Sequence, residues 1–125
     1  MASNITVDTL TKGGVTLNTD EIVDTNSTQV CKAWVNFDSA GGVSIRSSFN
    51  ISSVTDVSTG KYTVNFTSAM PNNEYSIALG NKEINRYING NDVTPTTTSF
   101  GLASQYPANN GYYTASFISA IVFSE

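Results

Sequence analysis

The side chains best placed for chemistry are tyrosines, asparagines and one arginine, gathered in two polar stretches. The first, Gly80 to Thr98, holds Asn81, Asn85, Arg86, Tyr87, Asn89, Gly90, Asn91, Asp92 and Pro95. The second, Gln105 to Tyr112, holds Tyr106, Pro107, Asn109, Asn110 and Tyr112, with Tyr113 beside it. A tyrosine offers a flat apolar face with a polar tip, and an asparagine amide both donates and accepts. That pairing suits a saccharide, and it is also the composition of adaptable protein-binding loops. The candidate contact residues are Arg86, Tyr87, Asn89, Asn91, Asp92, Tyr106, Asn109, Asn110 and Tyr112. The plainer reading makes them ordinary loop and interface residues.

Other chemistries find less support. A pair of carboxylates can hydrolyse glycosides, and Asp38, Asp56, Glu74, Glu83 and Asp92 are available. Each lies in a turn-like or polar stretch, where acids ordinarily serve as solvated caps. Asn89-Gly90-Asn91-Asp92 has oxygen ligands for Ca²⁺ but lacks the alternating acidic spacing and distal Glu of a calcium loop, so a turn is expected. The chain has no His, which excludes a Ser-His-Asp triad and a His-ligated metal within it. Cys31 is the single cysteine. It has no partner for an internal disulfide and no imidazole to activate it, so a buried or interface position is expected. Of the Asn-x-Ser/Thr sequons at Asn4, Asn26, Asn50 and Asn65, the last two fall in predicted strands, which argues against glycosylation. No enzyme, cofactor or metal is expected.

The elements that must hold these loops are strands. Only 13% of the 125 residues are charged, about half the usual share. Ser, Thr and Asn supply the polarity instead, at 16, 16 and 14 residues. Thr suits strands and Asn suits turns, and the good helix formers are scarce together. Six basic residues and a net charge of -4 argue against nucleic acid as a partner. No run approaches the roughly 20 apolar residues of a membrane helix, so no membrane insertion is expected.

Alternation marks strands at Ala33–Phe37, Val43–Arg46, Phe49–Asp56, Lys61–Thr67, Tyr75–Leu79, Ser99–Ala103 and Tyr112–Ser124. The third carries a register break, read as a bulge at Ser52-Ser53. One short strand is expected around Ile84 to Ile88. Before these, Lys12-Gly13-Gly14 turns between short strands, the second at Val15–Leu17, and Glu21–Val23 is a further candidate. All thirteen aromatic residues lie from Trp34 onward. That shift divides an extended segment, residues 1–31, from a domain of residues 32–125. The expected fold is all-β: an antiparallel β-sandwich of about seven strands. Trp34, Phe37, Phe49, Tyr62, Val64, Phe66 and Phe117 are its expected core or subunit-interface residues. Arg46 is expected to pair with Asp38 or Asp56, or to bridge subunits.

Four strings are specific beyond composition. They are Lys32-Ala-Trp-Val-Asn-Phe-Asp38, Ile45-Arg-Ser-Ser-Phe-Asn-Ile-Ser-Ser-Val-Thr-Asp56, Gly60-Lys-Tyr-Thr-Val-Asn-Phe-Thr67 and Ala69-Met-Pro-Asn-Asn-Glu-Tyr75. In order and spacing they resemble the C-terminal β domain of bacteriophage tail fibre and virion fibre proteins. The closing run Ala115 to Phe123 is similar to that family's usual ending. The resemblance implies a virion component, assembled in the host cytoplasm, usually a homotrimer and often ending in a host-binding knob. It implies no catalytic site. About 30 residues precede the first string, which favours a short fibre or an appendage of tail, neck or head over a long tail fibre. Residues 1–31 are then the expected attachment to other virion proteins, and the polar loops the expected contact with a host-surface glycan or protein. A capsid decoration or cement protein without receptor binding is the alternative. Met1-Ala-Ser-Asn4 lacks the layout of a secretion signal, in keeping with the cytoplasmic origin.

Overall fold

The computed structural model describes residues 9–18, 31–90 and 93–124. Strands β1 (Thr9–Lys12) and β2 (Val15–Asn18) form an antiparallel hairpin. Its turn, Gly13-Gly14, has both φ angles positive, the conformation glycine reaches without a Cβ penalty. The expected strand at Glu21–Val23 lies outside the described residues.

The rest is an antiparallel β-sandwich. Nine strands follow: β3 (Cys31–Asp38), β4 (Ser44–Phe49), β5 (Ile51–Ser58), β6 (Lys61–Phe66), β7 (Ser76–Asn81), β8 (Tyr87–Asn89), β9 (Ser99–Tyr106), β10 (Gly111–Tyr112) and β11 (Ile118–Phe123). One sheet has the order β4-β3-β11-β7. The other runs β10-β9-β6-β5, with β8 also paired to β9. Period-two alternation fills the space between them. Ala33, Val35 and Phe37 of β3 face inward, as do Ile118, Ala120 and Val122 of β11. They meet Tyr62, Val64 and Phe66 of β6 and Phe100 and Leu102 of β9. The Phe37 and Tyr62 rings meet edge to face across the sandwich, 5.3 Å apart.

Three expected elements take a different form, each for a local reason. The strand expected over Phe49–Asp56 is cut at Asn50, where the chain passes from one sheet to the other. Asn50 sits at φ 54°, a left-handed conformation that Asn tolerates. Its amide donates to the carbonyls of Lys32 and Ser68, and its oxygen accepts from the Ser68 N–H. The sequon Asn50 is therefore a corner rather than a strand position. The expected bulge is present as a register shift between Ile51 and Ser53.

The final strand expected from Tyr112 to Ser124 is likewise two strands, β10 and β11. Between them the Ser39 hydroxyl holds the backbone of Ala115 by both N–H and C=O, each at 3.0 Å. That tie draws the chain off one sheet and onto the other. Conversely, β9 runs on to Tyr106 instead of ending at Ala103. Gln105 there pairs with Tyr87 of β8 and with Tyr112 of β10. Short partners thus extend β9 into what reads, by composition, as loop. With β8 and the divided end, the described sandwich has nine strands rather than about seven.

Candidate functional site

The two outer faces of the sandwich differ in chemistry. On the β5–β6 face, Asn65 donates to the hydroxyls of Ser53 and Thr55, both at 3.0 Å. This is a polar ladder of uncharged side chains. The outer face of β4-β3-β11-β7 carries an apolar row instead. The register aligns Phe49 with Trp34, Trp34 with Ile121, and Ile121 with Ala78, one row across all four strands. Phe49 is 54% exposed and Ile121 41%. Phe123, also exposed, helps line a groove of about 350 Å³ with Cys31, Trp34 and Ile121. The next row, Ser47, Asn36, Ser119 and Gly80, is polar and uncharged.

Of the expected core or interface residues, Phe37, Tyr62, Val64 and Phe66 are buried in the core. Trp34 and Phe49 stand on this outer face. Phe117 is half-buried, with the Arg46 guanidinium 5.7 Å from its ring centroid. Arg46 pairs with Asp38 at 2.8 Å, one of the two partners its position suggests. Cys31 is half-buried.

The second surface joins the two polar stretches. Tyr87 and Asn89 of β8 lie beside the end of β9, and amide bonds stitch the loops together. The Tyr87 hydroxyl donates to Asn110 Oδ1 at 3.1 Å, and Asn89 donates to Gln105 Oε1. Gln105 Nε2 in turn donates to the Asn110 carbonyl. Asn110 can turn here because it holds φ 53°. Asn109 accepts from the Gly111 N–H and donates to the Tyr113 hydroxyl.

Arg86 lies at the centre. Its guanidinium carbon is 5.0 Å from the Tyr106 ring centroid and 4.9 Å from that of Tyr113. The two rings meet edge to face at 5.8 Å. Asn81 fixes the Arg86 backbone by donating to its carbonyl. Cation–π contact of this kind gives a partly buried guanidinium a fixed direction. Tyr112 turns elsewhere, with Lys61 Nζ 4.3 Å from its ring centroid.

Glu83 anchors the first stretch to the chain entering β11. Its Oε1 accepts from both the N–H and the hydroxyl of Ser116. Burial pushes its pKa upward, but the Ser116 bonds and the Lys82 charge outweigh that and hold it below the ordinary carboxylate value. Below the site, Gly60 touches backbone. A Cβ there would lie 2.5 Å from the Tyr113 nitrogen.

Arg86, Tyr87, Asn89, Tyr106, Asn109 and Asn110 are thus brought into one cluster. Asn91 and Asp92 lie outside the described residues, and with them half of the turn considered for Ca²⁺. Among the described residues, four buried side-chain polar atoms lack a hydrogen-bond partner: Glu83 Oε2, Arg86 Nε, Asn89 Oδ1 and Ser104 Oγ. All four belong to this end of the sandwich, since Ser104 pairs with Ile88 of β8. Composition pointed to most of these residues. It did not single out Gln105, which ties the loops, and it placed Tyr113 beside the second stretch without counting it among the contact residues. No family model, curated protein or solved structure matches the chain.

Proposed function

We propose that the protein is a bacteriophage virion structural protein, a short trimeric fibre or appendage of tail, neck or head, without catalysis. The observation that carries the reading is the contrast between the two outer faces. Sheets exposed to water alternate apolar-in and polar-out, as the Asn65–Ser53–Thr55 ladder does. The Phe49–Trp34–Ile121–Ala78 row breaks that rule. At ~4.8 Å between strands the row crosses the whole width of the sheet, and contiguous apolar surface of this kind often marks an interaction site.

A second copy of the chain is the occupant proposed. The row carries no charge, so copies can approach without like-charge repulsion, and exposed Phe49 is a knob for the neighbouring groove of another copy. Such a head-to-tail contact makes a closed ring when the rotation between copies is that of a three-fold axis. The resemblance of the Lys32–Tyr75 strings to virion fibre proteins supports the same assembly. Residues 1–31 would attach it to other virion proteins, and the Arg86 cluster would meet the host surface. A decoration protein would need only the apolar face; the built loop cluster favours the fibre.

Light scattering on the eluting protein tests the assembly. A mass about three times 13.3 kDa is expected, and a monomer at micromolar concentration overturns it. Labelled protein should also bind host cells. High copy number over the capsid together with no cell binding would replace the fibre by the decoration reading.

A further inference from the structure

The Arg86 cluster has a chemistry narrower than host contact. We propose that it is a binding site for an acidic saccharide, a sugar whose ring carries a carboxylate. The inference rests on the host-contact reading above and names the ligand class.

Three observations converge. First, Arg86 is a cation without a counter-ion among the described residues. The ion pair found there joins Arg46 to Asp38. Glu83, three residues before Arg86, gives its Oε1 to Ser116 and makes no ion pair with Arg86, its Oε2 having no hydrogen-bond partner. Second, the guanidinium is held rather than floating. Tyr106 and Tyr113 flank it at about equal distances, and its Nε is buried without a partner. An immobilised planar fork loses little freedom on binding, and a carboxylate is the anion that fits it two-pronged. Third, the surface beside it is shaped for a sugar. Tyr106 separates two clefts of about 350 and 340 Å³. One is lined by Asn85, Tyr106, Pro107 and Ala108, the other by Arg86, Tyr106 and Tyr113. The aromatic and Pro107 surfaces suit the C–H face of a pyranose, and the exposed Asn85 amide suits its hydroxyls. A neutral sugar would leave the fixed cation unmatched, and a peptide carboxylate would leave the Asn85–Pro107 cleft unused.

Titration with trigalacturonate, its methyl ester and inorganic phosphate, read by amide chemical shifts of the whole protein, tests this. Trigalacturonate should shift Arg86, Tyr106 and Tyr113 and bind at least about tenfold tighter than the uncharged ester. Sialyllactose against lactose should show the same preference if the carboxylate is what matters. Arg86→Gln should lose about tenfold in affinity and Arg86→Lys less, because the charge remains while the fork is lost. Lys61→Gln, which alters the cation over Tyr112, should change little. The inference fails if neither acid shifts these residues, if the ester or phosphate binds as well as the acid, or if Arg86→Gln binds like the parent. Protein that binds host cells but neither acid refutes the ligand class and leaves host contact standing. Protein that binds neither refutes both.

Discussion

Removing the Ser39 hydroxyl should loosen the wall of the candidate site from within. Ser39 is 3% exposed, and its single oxygen uses its whole capacity. It accepts from Tyr62 at 2.7 Å and from the Ala115 N–H, and it donates to the Ala115 carbonyl. In Ser39→Ala the carbonyl keeps the Ser39 N–H as donor. The Tyr62 hydroxyl loses the Ser39 oxygen it donates to, and the Ala115 N–H loses its Ser39 acceptor. Each lost bond at a buried group costs about 1–3 kcal/mol, so a loss of about 2–6 kcal/mol follows. Tyr62→Phe costs less, about 0.5–1.5 kcal/mol, because Ser39 retains two bonds. In the double variant only the Ala115 N–H is orphaned. Ser39→Ala should therefore cost about 1–3 kcal/mol less in the Tyr62→Phe background, a coupling a double-mutant cycle resolves. Urea unfolding at one fixed protein concentration is the assay, since the proposed assembly would make stability concentration-dependent. Ala115 lies two residues beyond Tyr113, so amide exchange at Tyr113 should rise in Ser39→Ala. A loss below about 0.5 kcal/mol, or strictly additive costs, would refute the reasoning.

Other perturbations probe the outer face, the turn under the site and the buried phenols. Phe49→Ser should weaken assembly and spare the fold. A Phe side chain presents ~200 Å², and with 54% of the residue exposed about 100 Å² remains to be covered, worth roughly 2.5 kcal/mol per copy; unchanged dissociation on dilution would count against the face. Gly60→Ala should cost about 2–3 kcal/mol or more, because φ is +72° and its Cβ would meet backbone of Tyr113 and Ser104 within 3 Å; a melting temperature equal to the parent's would contradict the packing. Burial pushes the Tyr62 phenol up, and Tyr75 up to about 12. A raised phenol pKa favours the neutral folded form, so this stability is complete below pH 10 and is lost as pH rises toward 12. Tyrosinate absorbance should show these two titrating late, together with unfolding, and six tyrosines ionising together near pH 10 would speak against it.

The strands were legible wherever alternation was unbroken. Lys61 to Thr67 shows which residues face inward because a period of two leaves one answer, whereas Ala33-Trp34-Val35 is apolar on both faces. Legibility ended where a side chain, not a pattern, redirects the chain. Asn50 turns a corner by bonding Lys32 and Ser68, eighteen residues away in either direction. Ser39 breaks the last strand by holding Ala115, seventy-six residues on. No local window contains both partners of either bond. The site shows the same division. Tyrosine and asparagine enrichment marked the loops, but their union depends on β8 and β10 flanking Gln105, a pairing between short segments with little pattern of their own.

The aromatic residues divide in a way that burial alone does not require. Phe37, Tyr62, Phe66 and Phe100 fill the core completely enough that their exposure is 7% or less. A domain with so filled an interior gains no further stability from Phe49, Ile121 and Phe123 standing in water on one face. Nor does the fold force them there, because Ser53, Thr55, Thr63 and Asn65 occupy paired positions on the other sheet. The scarcity of charge then acquires a use. A charged outer row would keep copies apart, whereas Ser47, Asn36 and Ser119 beside Trp34 remain soluble and still allow close approach. At the loop end the opposite holds: a cation is kept between two rings, with no ion pair to a carboxylate among the described residues. On the function proposed, one surface meets its like, and the other something unlike itself.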